Sequence, residues 1–184
     1  MSWNLVRLAD VAATPWRNGG GVTRELLAWP QAGDWRVRLS VADVTQDGPF
    51  SRFVGVRRWF AVLEGAGVRL SVDGATHELT PHGAPFGFDG GADTDCALIA
   101  GATRDFNLML RGAAGRLRRV AGKQAFGCRA RDLVAVYSAG DVALLGVGRD
   151  EVGIGPHTLA WRILDTGGAV QVDAPDALWM EIAP

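Results

Sequence analysis

Hydrophobic and polar residues alternate along much of this 184-residue chain. Between Trp35 and Ala42, every second residue is apolar and the intervening ones are arginine, serine or alanine, which is the two-residue period of a β-strand. The same period runs from Val68 to Val72, and Asp73-Gly74 then supplies a hairpin turn before a return strand predicted at 76–79. Apolar runs predict further strands at 59–63, 85–88, 97–100 and 105–110, and only a short helix is predicted, at 8–13.

The second half of the chain resembles the first. The Ala-Val pairs at Ala61 and Ala135 are 74 positions apart (135 minus 61), and the Pro-His pairs at Pro81 and Pro156 are 75 apart (156 minus 81). This near-constant offset indicates a duplicated β unit, although chance similarity in a chain rich in Gly, Ala and Val is the alternative. We therefore predict an all-β double jelly roll, or bicupin, with closely packed halves at 1–111 and 112–184 and a linker at 112–127.

Composition and charge exclude several classes of protein. The 19 basic and 20 acidic residues give a net charge of −1, which offers no bulk attraction for nucleic acid or an anionic membrane. Two cysteines, Cys96 and Cys128, form no C-x-x-C pair and argue against a zinc ribbon or a disulfide framework. The N-terminus lacks the pattern of a signal peptide, and the longest apolar stretch, at 142–147, is too short to cross a bilayer. We expect a soluble, cytoplasmic protein without nucleic-acid or membrane partners.

Motifs for several common chemistries are missing. There is no G-x-S-x-G nucleophile elbow, and the glycine run at 19–21 lacks the lysine of a phosphate-binding loop. The three histidines, His77, His82 and His157, form no H-x-H pair, so we expect structural or surface histidines rather than metal ligands. We predict neither a metal nor another cofactor.

Residues 16–25 are the most informative segment of the chain. Three consecutive glycines remove the side chains from a short stretch of backbone, so that a ligand or a second strand can approach the main chain closely. An aromatic residue, an amide, a hydroxyl, a carboxylate and two guanidiniums flank the glycines, which is the composition of a binding edge. A tight turn with ordinary surface charges is the alternative.

This segment also begins a series of blocks that resembles the HutD/Ves family, which is associated in bacteria with histidine utilisation. The blocks lie at 16–25, 35–42, 48–55, 57–58, 63–67 and 105–109, whereas the second half matches only in its β character. The resemblance implies a bicupin-like fold without the cupin metal ligands. It also implies a pocket for a small acid of histidine breakdown, such as N-formylglutamate or urocanate, without establishing an enzymatic activity.

A pocket for a carboxylate needs a guanidinium or backbone N–H groups, together with an apolar wall. Arg58 and Arg36 are the best candidate cations. Arg36 lies on the polar face of an alternating strand, which is either the lumen of a barrel or its solvent side. Arg58 immediately precedes an apolar strand, and its alternative role is a structural ion pair with Asp47 or Glu64.

Further candidates are distributed over the first half. Asn18 and Thr23 could orient an amide or formyl group, or they could form an Asx-turn and an ordinary strand position. Asp105 and Asn107, two apart on one strand, point to the same face. Trp16, Phe50 and Phe53 could form the apolar wall or simply pack in the core. The complete predicted ligand-binding set is Trp16, Asn18, Gly19, Gly20, Thr23, Glu25, Arg36, Ser40, Phe53, Arg58, Asp105 and Asn107.

Three functions follow from these observations. The first is a binding protein that senses or buffers an acidic catabolite. The second is a metal-independent hydrolase or isomerase, with Glu25 and Asp105 as the catalytic proton carriers. The third is an interaction subunit whose pocket is filled by Trp16, Phe50 and Phe53. Because exposed sheet edges can pair, a homodimer is a further expectation.

Overall fold

A computed structural model describes residues 2–184, and β-strands dominate it. Two 3-10 turns, Leu8–Asp10 and Ala32–Asp34, are the helical elements of this part of the chain, and the first replaces the short helix predicted at 8–13. The strands are β1 (Asn4–Arg7), β2 (Thr14–Pro15), β3 (Gly21–Trp29), β4 (Val37–Val44), β5 (Gly48–Pro49), β6 (Val56–Glu64), β7 (Val68–Val72), β8 (Ala75–Leu79), β9 (Phe86–Asp89), β10 (Thr94–Leu98), β11 (Thr103–Arg111), β12 (Ala114–Cys128), β13 (Leu133–Ser138), β14 (Ala143–Val147), β15 (Asp150–Ile154), β16 (Thr158–Ile163) and β17 (Gly168–Ala183).

The chain divides into two compact units. One unit is Val11–Gly112, and the other combines Ala113–Pro184 with the segment that precedes Val11. The division after Gly112 lies one residue beyond the boundary predicted at 111/112. The N-terminal segment differs from the prediction, because β1 pairs antiparallel with β16 and thereby becomes an edge strand of the C-terminal unit.

The first unit consists of two sheets that enclose an apolar cluster. A six-stranded sheet has the order β2-β3-β4-β11-β6-β9, and a four-stranded sheet has the order β5-β10-β7-β8. Phe60 and Val62 of the first sheet pack in one cluster with Leu70 and Cys96 of the second. Burying side chains of this kind contributes roughly 1.5–3 kcal/mol for each large one, which holds the two sheets together.

The second unit has one large sheet, with the order β1-β16-β13-β17-β14-β15, and β12 pairs along β17. The linker predicted at 112–127 is therefore wrong, since β12 fills this segment. Its apolar residues Leu117, Val120 and Phe126 are buried, whereas its arginines mostly face outward. A register shift next to Gly122, whose φ is +77°, interrupts the alternation and explains why the strand was not predicted.

The two units repeat one pattern of strand pairing. In the first, β6 leads into the hairpin β7–β8, and β9 then returns to pair with β6. In the second, β13 leads into the hairpin β14–β15, and β16 returns to pair with β13. His82 and His157, which the sequence offset aligned, both have a left-handed backbone, with φ of 63° and 52°, just before the returning strand. Within residues 2–184, no helix is long and apolar enough to cross a membrane.

Candidate functional site

A cavity of about 950 Å³ opens in the first unit, over one face of strands β3, β4, β11 and β6. Cross-strand register places the side chains of this face in rows. Glu25 lies opposite Ser40, which lies opposite Asn107. In the next row, Met109 lies between Arg38 and Arg58. Because side chains two apart on a strand share a face, both rows point into the cavity.

Arg58 is the most unusual residue of the cavity. The residue is only 5% exposed, and its Nη2 donates a hydrogen bond of 2.9 Å to Oδ1 of Asn107. Three phenylalanines surround it, with the guanidinium carbon 5.1 Å from the ring centres of Phe50 and Phe88 and 5.8 Å from that of Phe53. Within residues 2–184, no carboxylate forms an ion pair with Arg58, and its Nε has no hydrogen-bond acceptor.

This environment makes the positive charge of Arg58 costly. Burial and, to a smaller extent, the positive charge of Arg38 together lower the pKa of Arg58 to about 10. The pKa still lies above neutral pH, so the side chain remains a cation. A buried charge without a counter-charge is strongly unfavourable in a folded protein. The arrangement therefore provides a site that an anion would complete.

The alternative role predicted for Arg58, a structural ion pair, is wrong. Asp47 instead accepts a hydrogen bond of 2.8 Å from the backbone N–H of Leu98. Glu64 accepts one of 2.9 Å from Arg104. Both acids are thus engaged elsewhere in the unit.

Arg38, rather than Arg36, supplies the second cation of the cavity wall. The Nε of Arg38 donates to Oε2 of Glu25 at 2.6 Å, and both residues line the cavity. Arg36 was predicted as a ligand contact but is exposed, lies before β4 begins, and donates to the carbonyl of Gly112. The alternation of this segment places positions 36, 38 and 40 on one face, so the same signal could have identified Arg38.

The segment before β3 forms one wall of the cavity. The indole N–H of Trp16 donates to Oγ1 of Thr23 at 2.7 Å, and the Trp16 ring meets the Phe50 ring edge-on at 6.2 Å. Asn18 accepts a hydrogen bond of 3.1 Å from the N–H of Gly20, which is the Asx-turn alternative, and its side chain nevertheless lines the cavity. The aromatic rings border open space and do not fill it.

Gly19 and Gly20 were predicted to contact the ligand, but neither lines the cavity. Gly19 has a φ of +73° in the turn, and the carbonyl of Gly20 accepts the N–H of Thr45 at 2.9 Å. A Cβ atom at Gly21 would lie 2.4 Å from the carbonyl oxygen of Asp43. The glycines therefore allow the turn and the close approach of β3 to β4.

Asp105 also differs from the prediction, because it does not line the cavity. Its carboxyl group has no solvent exposure and accepts a hydrogen bond of 2.8 Å from Oγ1 of Thr103. The pKa of Asp105 is raised to about 7, mainly by burial; the hydrogen bond from Thr103 acts in the opposite direction, and the charge of Asp43 acts in the same direction as burial. The other predicted residues, namely Trp16, Asn18, Thr23, Glu25, Ser40, Phe53, Arg58 and Asn107, all line the cavity.

The side chains that could coordinate a metal ion are not placed together in the structure. Among residues 2–184, no group of three or more His, Cys, Asp or Glu side chains is placed to hold one. The ring of His77 packs against Phe86 at 4.1 Å, and His82 and His157 lie in turns. Both thiols are buried, and burial raises the pKa of Cys96 to about 12 and that of Cys128 to about 11.

The two-sheet unit, with a cavity over one face of its larger sheet, defines an all-β protein of the cupin-like class. The fold of the chain is similar to that of oxalate decarboxylase from Lactobacillus farciminis, with a TM-score of 0.69 and 7% identity over 100% of this chain and 86% of that one. At this identity the similarity concerns the fold alone. The chain belongs to the HutD family, whose model matches residues 8–181.

Individual relatives agree with this assignment. HutD from Pseudomonas fluorescens SBW25, solved in a formate condition, is 32% identical with a TM-score of 0.88, over 99% of this chain and 98% of that one. An uncharacterized 21.2 kDa protein of the hutC 3′ region of Pseudomonas putida is 44% identical over 57% of this chain and 56% of its own length. The protein Ves of Citrobacter koseri is 41% identical over 52% and 51%, respectively. The chain thus spans about half the length of the curated relatives it matches.

Proposed function

We propose that this protein binds a small carboxylate in the cavity of its first unit. In this role it senses or buffers an acidic catabolite of the histidine pathway, such as N-formylglutamate or urocanate. Binding requires no metal, because the guanidinium of Arg58 supplies the positive charge.

The observation that carries this proposal is the buried and uncompensated charge of Arg58. A carboxylate at this position would add charge-assisted hydrogen bonds, which are about twice as strong as neutral ones. Phe50 and Phe53 provide an apolar wall for the body of the ligand, and Asn107 and Ser40 provide polar groups. A mostly apolar wall with a few oriented polar groups is typical of small-molecule sites.

The two other functions have less support. Glu25 and Asp105 do not meet in the cavity, and Glu25 is held by Arg38. A general acid–base mechanism that uses both residues therefore lacks the geometry it needs. An interaction subunit with a filled pocket is disfavoured by the open space between Trp16, Phe50 and Phe53.

Calorimetric titration with N-formylglutamate, urocanate, formiminoglutamate and histidine tests the proposal. We expect saturable binding of at least one of the acids, with one ligand for each chain. In Arg58→Met, the affinity falls by at least about tenfold, since a hydrogen bond to a charged group contributes roughly 1.5–3 kcal/mol. The matched control is Arg69→Ala, which removes an exposed arginine on β7 that pairs with Glu78.

Each result has a distinct meaning. Binding that is lost in Arg58→Met and kept in Arg69→Ala supports the carboxylate site. Absence of heat with all four compounds would reject it. Chromatography of the same samples detects any conversion of the ligand to product, which would instead favour the metal-independent hydrolase or isomerase.

A further inference from the structure

Arg38 is held by Glu25 in a way that leaves most of its hydrogen-bonding capacity unused. Its Nε donates to Glu25 at 2.6 Å, whereas its terminal nitrogens have no hydrogen bond or ion pair to residues 2–184. A carboxylate on Nε fixes the plane of the guanidinium. The two terminal N–H₂ groups then remain available to the cavity that Arg38 lines.

The charges that face the cavity do not balance. Three guanidiniums, of Arg17, Arg38 and Arg58, line it, against the single carboxylate of Glu25. Arg38 and Arg58 lie on either side of Met109 in adjacent strands, so their Cα atoms are about two strand spacings, or roughly 10 Å, apart. Their guanidiniums are near enough for the charge of Arg38 to lower the pKa of Arg58. The carboxylate of Glu25 is bonded to Arg38, so no acidic side chain that lines the cavity forms an ion pair with Arg58.

We infer that the cavity selects short dicarboxylates, with one carboxylate on Arg58 and the other on the terminal nitrogens of Arg38. This inference rests on the proposed function and adds the class of ligand. Arg38 is then the residue that determines specificity, and Glu25 is a positioning residue that holds its guanidinium. A monocarboxylate on Arg58 makes no hydrogen bond to Arg38 and is attracted by its charge alone.

Glutarate and pentanoate test this inference, because they share a five-carbon chain and differ by one carboxylate. We expect glutarate to bind at least about tenfold more tightly than pentanoate, as an added charged pair with good geometry allows. In Arg38→Ala this preference disappears, because glutarate loses both a hydrogen-bonding partner and an attracting charge, whereas pentanoate loses only the attracting charge. The matched control, Arg36→Ala, removes an exposed arginine two residues away, outside the cavity, and keeps the preference.

Variants of Glu25 distinguish its positioning of the Arg38 guanidinium from the effect of its negative charge. Glu25→Gln keeps an acceptor for Arg38 and removes a negative charge, so the preference for glutarate is kept or increased. Glu25→Ala removes the acceptor, and the preference falls while pentanoate binding is retained. Thermal melting of every variant identifies any that do not fold, and Arg38→Lys, which keeps the charge without the planar fork, then replaces Arg38→Ala. We expect Arg38→Lys to show a reduced preference.

Several outcomes would overturn the inference. One is equal affinity of the wild-type protein for glutarate and pentanoate. Another is a decrease of the two affinities by the same factor in Arg38→Ala, which would indicate a general electrostatic effect. Loss of the preference in Arg17→Ala instead would assign the second carboxylate to the cavity rim. If neither these acids nor the histidine-pathway compounds bind, the proposed function itself fails. Pentanoate binding that depends on Arg58 without a preference for glutarate rejects only the dicarboxylate inference.

Discussion

At the scale of single residues, the asparagine at position 107 leaves the charge of Arg58 available for an anion. The Asn107 amide gives Arg58 a neutral acceptor at 2.9 Å. A carboxylate at the same position would neutralise the cation from within the protein. An amide satisfies part of the hydrogen-bonding capacity of Arg58 and leaves its charge free to attract an anion.

Asn107→Asp is accordingly predicted to imitate a bound ligand. The new ion pair with Arg58 should raise the free energy of unfolding by about 1–3 kcal/mol and lower carboxylate affinity at least about tenfold. Urea denaturation and calorimetry measure the two effects. Asn107→Ala is the matched control, because it removes the acceptor, lowers stability and leaves the charge of Arg58 free. Wild-type affinity in Asn107→Asp would contradict the role given to Arg58.

Asp105 makes the stability of the protein dependent on pH. The pKa of about 7 in the folded state lies above the ordinary value of 3.8. Between these values the folded protein holds a proton that the unfolded chain has lost. The free energy of unfolding therefore falls as pH rises from about 4 to about 7 and levels off above that.

Asp105→Asn should remove this contribution. Relative to wild type, the variant should gain stability progressively from pH 4.5 to pH 7.5, by an amount on the order of a few kcal/mol. Urea denaturation across this range measures the difference, and Asp95→Asn serves as the matched substitution at an exposed position. A constant difference between Asp105→Asn and wild type would mean that Asp105 titrates normally.

At the scale of elements, the pairing of β3 with β4 brings the site together. This pair places Glu25 beside Ser40 and lets Arg38 reach Glu25. Gly21 begins β3, where an added Cβ atom would lie 2.4 Å from the backbone carbonyl oxygen of Asp43. Any side chain at this position must push the two strands apart.

We therefore predict that Gly21→Ala destabilises the protein by about 1–3 kcal/mol, as expected for overpacking against backbone, and weakens carboxylate binding. Thermal melting and calorimetry test this effect. Gly33→Ala is the control, because a Cβ atom at Gly33 meets nothing within 4 Å. Equal melting temperatures for the two variants would show that β3 and β4 can separate at no cost.

At the scale of the whole molecule, the two units repeat a strand pattern, yet their sequence signals differ in strength. In the first unit, the period of two is uninterrupted from Val37 to Ala42 in β4 and throughout β7, and the turn at Asp73-Gly74 is predicted from its residue types. In β12, arginines, glycines and a register shift obscure the same period. A strand with strict alternation can therefore be predicted from the sequence, whereas a bulged strand with an exposed, basic face cannot.

The sequence by itself determined the all-β class, most of the strands of the first unit, the family, and eight of the cavity residues. These depend on local periodicity, turn residues and motifs that neighbouring residues carry. Only the tertiary structure decided that Arg58 meets Asn107, 49 residues away, and that Arg38 rather than Arg36 lines the cavity. Strand register and the enclosure of charge depend on residues distant in sequence, and no local pattern encodes which arginine remains without a counter-charge.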